Sequence, residues 1–223
     1  MTFTNATKTV IFGGLTGIGR AVAAALSTMP GHVESVSRRN GIDMTSEEGV
    51  AAFFSKFGAV DHVVVTAGSS APGGKVADVG IESAKSAFDT KFWGSIIVAR
   101  EAAKHMRPGG TITLTSGFLA RRTVPGTYVK TAMNAALEAV VKVLAKELAP
   151  IRVNIVSPGL TDTEAYAGMP TEAREQMLQR TAASLPAGRH GTADDVARGY
   201  IFAIENPYVT GSIIDIDGGA LIN

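Results

Sequence analysis

The sequence predicts one three-layer α/β/α domain built on a doubly wound parallel sheet. Three observations point there. Short β-branched runs alternate with longer amphipathic stretches along all 223 residues. The runs are almost continuously apolar, as strands are when helices cover both sheet faces. A glycine-rich turn also sits between the first run and the first amphipathic stretch.

Lys8 to Phe12 reads as the first strand, Gly13 to Gly19 as the turn, and Arg20 to Met29 as an alanine-rich helix stopped by Pro30-Gly31. His32 to Ser37 is a second strand, and Ser46 to Phe57 a helix with Ser46 as its N-cap. Asp61 to Thr66 is a third strand. Ile81 to Met106 carries one or two helices, broken or bent near Gly94. Gly110 to Thr115 is a fourth strand, Thr131 to Leu148 a long helix and Ile151 to Val156 a fifth strand. Helices around Thr171–Ser184 and Thr192–Ile204 lead to a last strand, Ser212 to Ile216. No linker or repeat divides the chain, so residues 1–223 read as a single domain.

Composition narrows the function. Lys+Arg 21 against Asp+Glu 20 leaves a formal charge of +1, too weak a field to hold a nucleic-acid backbone. Cysteine is absent, which removes disulfides, thiol nucleophiles and thiolate-bound zinc. Four histidines, His32, His62, His105 and His190, lack metal-ligand spacing, so no metal is expected. No apolar run approaches the roughly 18 residues of a membrane span, and the first residues lack a signal-peptide pattern. A soluble, cytoplasmic protein is expected, with a small-molecule substrate and neither nucleic acid nor membrane as partner.

Gly13-Gly14-Leu15-Thr16-Gly17-Ile18-Gly19 has the composition a pyrophosphate needs: glycines let the backbone approach, and the following helix start offers free N–H groups. Strand two ends in Ser37-Arg38-Arg39 with no acid. An acid there would accept from the ribose 2′-hydroxyl of NAD, whereas guanidinium groups suit the 2′-phosphate of NADP. NADP is therefore expected over NAD.

The glycine spacing Gly13-x-x-x-Gly17-Ile18-Gly19 opens a series of landmarks. Thr66-Ala67-Gly68 follows strand three, Ser116 follows strand four, and Arg152-Val153-Asn154-x-x-Ser157-Pro158-Gly159 covers strand five. Asp194-Asp195-Val196-Ala197 and Thr210-Gly211-x-x-x-Asp215-x-Asp217-Gly218-Gly219 close it. Nearly end to end, the sequence resembles the short-chain dehydrogenase/reductase family. The resemblance implies a Rossmann-type domain, hydride transfer with a nicotinamide cofactor, and a homotetramer or homodimer. It also implies cofactor contacts from Gly13, Leu15, Thr16, Gly17, Ile18 and Gly19, from Ser37, Arg38 and Arg39, and from Asp43 and Met44 beside the adenine. Thr66, Ala67 and Gly68 would line the adenosine and ribose, and Pro158, Gly159 and Thr163 the nicotinamide end.

The family's proton machinery is a serine, a Tyr-x-x-x-Lys pair and an upstream asparagine. Here Tyr128 is followed four residues on by Ala132. The stretch from Ala135 to Asn154 sets the register and puts Lys130 at the tyrosine position and Asn134 at the lysine position. Tyr128 lies two residues earlier, roughly 200° around a helix, and reaches the site only if the chain before Lys130 is not helical. Lys91 replaces the asparagine, and Ser116 remains. The candidate catalytic set is Ser116, Lys130, Asn134 and Lys91.

Three functions stay open. The first is an NADP-dependent oxidoreductase interconverting a small alcohol and a carbonyl compound, with Lys130 moving the proton. The two lysines would then polarise a carbonyl or fix an anionic substrate. The second is a nucleotide-binding sensor or inactive partner subunit, with Lys91 and Lys130 as surface residues. The third is a lysine-based lyase or isomerase. Thr161 to Leu185, with Tyr166, Met169 and Met177, reads as a substrate lid.

Overall fold

A computed structural model of the chain describes residues 3–68 and 71–223. Five strands, β1 (Lys8–Phe12), β2 (His32–Val36), β3 (Val60–Val65), β4 (Met106–Thr115) and β5 (Arg152–Pro158), follow the alternating pattern. With β8 (Ile213–Ile216) they form one parallel sheet ordered β2-β1-β3-β4-β5-β8. A two-residue pair, β6 (Thr161–Asp162) and β7 (Gly191–Thr192), stands apart and ties the start of the expected lid to the chain beyond its end.

Successive strand residues point to opposite faces, and the core divides accordingly. Val10, Phe12, Val63, Val65, Val153 and Ile155 pack against α2 (Glu47–Phe57), α4 (Gly94–Ala103) and α5 (Tyr128–Glu147). Ile11, Val64 and Val156 pack on the other side against α1 (Gly17–Leu26) and α7 (Ala193–Glu205). Two helices remain, α3 (Ile81–Phe88) and α6 (Thr171–Ser184). Ser46 caps α2 as expected, its hydroxyl accepting from the Gly49 N–H.

Several sequence landmarks are fold fasteners. The Arg152 guanidinium donates to the carbonyls of Ala203 and Ile204 in the last turn of α7 and of Val209 beyond it. Asn154 bonds the Val209 carbonyl and the Ser212 N–H, fixing the approach to β8. Asp195 completes a capping box with Thr192 at the start of α7 and pairs with Arg189. No helix among the described residues is long and apolar enough to cross a membrane.

Element ends differ from expectation where it matters. Helix α1 begins at Gly17 rather than Arg20, because glycines Gly17 and Gly19 form its first turn. The break expected near Gly94 is a π-helical segment, Asp89–Trp93, joining α3 to α4 with Lys91 at its centre. Helix α5 starts at Tyr128, three residues before the expected Thr131. Tyr128 is therefore helical and packs with the cluster formed by Ala87, Val129 and Met133 rather than reaching across to the position of Lys130.

Candidate functional site

Chain order reverses between β1 and β3, and the crevice beyond their carboxyl ends is where a doubly wound sheet takes ligands. The glycine turn fills that point. Gly13 has φ +89, and a Cβ added to it would lie 2.6 Å from the Ala67 nitrogen. A Cβ on Gly19 would lie 2.2 Å from the Gly13 carbonyl oxygen. Side chains at either place would force the turn off the sheet. Thr66 fastens the same corner, its hydroxyl donating to the Phe12 carbonyl.

Two adjoining hollows flank the turn. One is walled by Gly13, Leu15, Thr16, Ser37, Arg38, Arg39, Asp43, Met44, Ala67 and Gly68, with Thr90 beside them. The second is walled by Gly17, Ile18, Gly19, Thr66, Thr163, Glu164, Tyr166 and Lys130 and shares Gly13, Thr16, Arg39, Ala67 and Gly68 with the first. The predicted nucleotide residues thus converge on one continuous cleft. Pro158 and Gly159 are placed differently. Pro158 pairs with Ile216 in the sheet, and Gly159 faces a separate cavity with Asp217, whose backbone a Cβ there would strike at 2.7 Å.

Ser37 caps a short turn over Arg38–Asn40, accepting from the Arg39 N–H, while Asn40 reaches back to the Ser37 N–H. That turn holds both arginines exposed at the cleft, and neither forms an ion pair among the described residues. Asp43 accepts from the backbone and hydroxyl of Thr45, which holds its carboxyl below the usual range. An anionic group of a nucleotide would meet there two guanidiniums without an ion pair among the described residues and open glycine backbone, and these residues fit NADP.

Behind the cleft lies a buried polar layer. The Lys91 ammonium donates to the Ser116 carbonyl at 2.9 Å and to Asn134 Oδ1 at 2.6 Å. Enclosure of the ammonium, then the nearby charge of Lys130, lowers Lys91 to about 8, with Glu138 opposing. Of the four catalytic candidates, Lys91, Asn134 and Ser116 come into one network. Lys130, exposed, stands in front of it on the cleft wall. Lys130, Asn134 and Glu138 recur at intervals of four along α5 and so share one stripe.

Glu138 and Arg121 were not anticipated. The Ser116 hydroxyl donates to Glu138 Oε1 at 2.9 Å, and Arg121 Nε pairs with Oε2 at 2.9 Å. Arg121 continues to Asp215 and to the Ser157 hydroxyl, tying α5 to the ends of β5 and β8. A signal for Glu138 was present: an acid four residues after Asn134, next to Leu137, falls on the buried face of an amphipathic helix. Nothing local marks Arg121. Also unforeseen, the lid residue Glu164 accepts from the Gly17 N–H at 2.9 Å and pairs with Arg20 at 2.5 Å. Its own backbone N–H, and then the Gly17 N–H and Arg20, hold its carboxyl below the ordinary range. Burial and nearby Asp162 raise the Tyr166 phenol, which therefore stays protonated on the cleft wall.

A family profile described as enoyl-(acyl carrier protein) reductase matches residues 15–220. A short-chain dehydrogenase/reductase of Acremonium sp is 30% identical over 96% of this chain and 94% of its own. The chain belongs to the short-chain dehydrogenase/reductase family. That family is one of oxidoreductases, and other similarities agree with the assignment. A carbonyl reductase family member 4 of Danio rerio is 31% identical over 94% of this chain and 96% of its own. A relative from Stachybotrys chlorohalonatus is 36% identical over 74% of this chain, which spans 65% of that protein's length. A solved structure described as a small-chain dehydrogenase in complex with NADPH superposes with a TM-score of 0.95. It is 54% identical, over 97% of this chain and 99% of that one. In this short-chain family member three of the four expected catalytic residues are spatially coupled, with Lys91 bonding the Ser116 carbonyl and Asn134. Lys91, in the π-helical segment, and Asn134, on α5, meet across the gap between these elements.

Proposed function

We propose that the protein is an NADP(H)-dependent oxidoreductase that interconverts a small alcohol and a carbonyl compound. The observation that carries this reading is the continuous cleft from the unpaired Arg38–Arg39 pair, past the glycine turn, to Lys130. The NADPH complex of the 54%-identical protein supports the cofactor. When bound, NADPH supplies the hydride. The Lys130 ammonium donates the proton to the nascent alkoxide in reduction and, as the amine, takes it back in oxidation. Lys91 and Asn134 fix the floor behind it. The Ser116 hydroxyl commits its single proton to Glu138, so toward a substrate Ser116 has only lone pairs to offer. Exposed Trp93 and Val143, near and on the helices that commonly make subunit contacts in this family, support a homodimer or homotetramer. A cytoplasmic location goes with this reading.

One observation favours a nucleotide-binding subunit without turnover instead. Lys91, Asn134 and Ser116 satisfy one another, leaving Lys130 alone of the four at the cleft. A titration of nucleotide-free protein, followed by nicotinamide fluorescence, tests the shared part. NADPH is expected to bind about tenfold or more tightly than NADH, one charge-assisted pair being worth that much, and Arg39→Gln is expected to shrink the difference. Binding of neither nucleotide removes the oxidoreductase reading, and binding without turnover of any carbonyl or alcohol selects the second.

A further inference from the structure

The catalytic end carries positive charge that the protein does not neutralise. The Lys130 side chain makes no hydrogen bond or ion pair among the described residues, and the undescribed ones, Met1, Thr2, Ser69 and Ser70, carry no side-chain carboxylate. Immediately behind it, Lys91 bonds only neutral oxygens. The one buried acid nearby, Glu138, has its oxygens engaged by Ser116 and Arg121. Of the acids on the cleft wall, Glu164 is paired with Arg20, and Asp43, in the adjoining hollow, is bonded by Thr45. One ammonium, Lys130, thus faces the cleft with no ion pair among the described residues, and a second, Lys91, lies enclosed behind it with only the engaged Glu138 as a nearby opposite charge.

We propose that the substrate is an oxo acid, whose carboxylate pairs with Lys130 while the same ammonium bonds the carbonyl to be reduced. An ammonium has three N–H donors, and Lys130 uses none of them within the protein. The carbonyl and carboxylate oxygens of a 2-oxo or 3-oxo acid turn to the same side of the molecule, so one ammonium spans both. Lys91, one layer deeper, adds attraction without contact, because its own donors hold Ser116 and Asn134. The proposal rests on the oxidoreductase reading only in placing a carbonyl beside the carboxylate.

Matched probes test it: 2-oxobutanoate and acetoacetate against their methyl esters, titrated into NADPH-loaded protein and into nucleotide-free protein by calorimetry. The free acids are expected to bind about tenfold more tightly than the esters, the weight of one partly enclosed ion pair. The preference is expected to shrink as ionic strength rises from about 0.05 to about 0.5 M. Lys130→Gln, a change at an exposed position, is expected to bring the acid-to-ester ratio near one. That ratio is insensitive to a general structural defect. Esters binding as well as acids, a preference that survives Lys130→Gln, or binding of neither probe would each overturn the proposal. A protein that prefers the acids but takes no NADPH upholds the anion site and refutes the cofactor reading instead.

Discussion

The nucleotide end and the catalytic end sit on the same sheet edge, yet they are built in opposite ways. At the nucleotide end, two contiguous segments do nearly everything: the turn from Gly13 to Gly19 approaches Ala67, and the turn from Ser37 to Asn40 presents two arginines. Its constraints are steric and local, so little variation is tolerated. The catalytic end is assembled from the π-helical segment, the residue after β4, and one stripe of α5, joined by side-chain hydrogen bonds. Groups there are joined only by side-chain reach, as Lys91 and Asn134 are. Backbone-built sites resist substitution, whereas side-chain networks admit rearrangement.

The largest expected effect would break the first half of that contrast. Gly19→Val would drive carbon atoms into the Gly13 carbonyl, and the turn would have to leave the sheet. Overpacking at such a point costs roughly 1–3 kcal/mol or more, and NADPH binding should be lost with it. A urea melt and a nucleotide titration read both; retained affinity would show that the turn is not the cradle.

The next change separates the two ends. Lys130→Met should lower turnover by about 10²–10⁴-fold, the usual weight of a positioned proton donor, while leaving the melting temperature near that of the wild type because the residue is exposed. Unchanged turnover would remove Lys130 from the proton step.

The smallest effect sharpens the picture of the buried layer. Burial lowers Lys91 from 10.5 to about 8. Between those pH values the unfolded chain keeps a proton here that the folded chain has released, so this group's contribution to stability rises with pH. Urea melts of wild type and Lys91→Met at about pH 7 and about pH 9.5 should differ in pH slope, with the variant lacking that rise. Parallel slopes would mean that Lys91 is not enclosed as described.

Legibility followed the same division. The glycine turn, the Ser37-Arg38-Arg39 corner and the placing of Lys130 and Asn134 on one long helix could be read because each lies within one continuous stretch. Gly159 was legible as a landmark but not in its setting, since the backbone of Asp217 fills the space beside it. Tyr128 was ambiguous until the start of α5 was known. Glu138 left a trace as an acid on an apolar helix face, whereas Arg121 and the Glu164–Arg20 pair left none, being matched by partners more than fifteen residues away.

By itself the sequence determined the alternation of strands and helices, the parallel sheet and the cleft at its reversal, because hydrophobic periodicity and glycine placement act over a few residues. Only the tertiary structure decided that the Lys91 ammonium meets Asn134, that Glu138 accepts the hydrogen bond of the Ser116 hydroxyl, and that Lys130 is left without an ion pair among the described residues. Those facts depend on which side chains from distant segments come within about 3 Å of one another, the range over which hydrogen bonds form, and no local pattern encodes that distance.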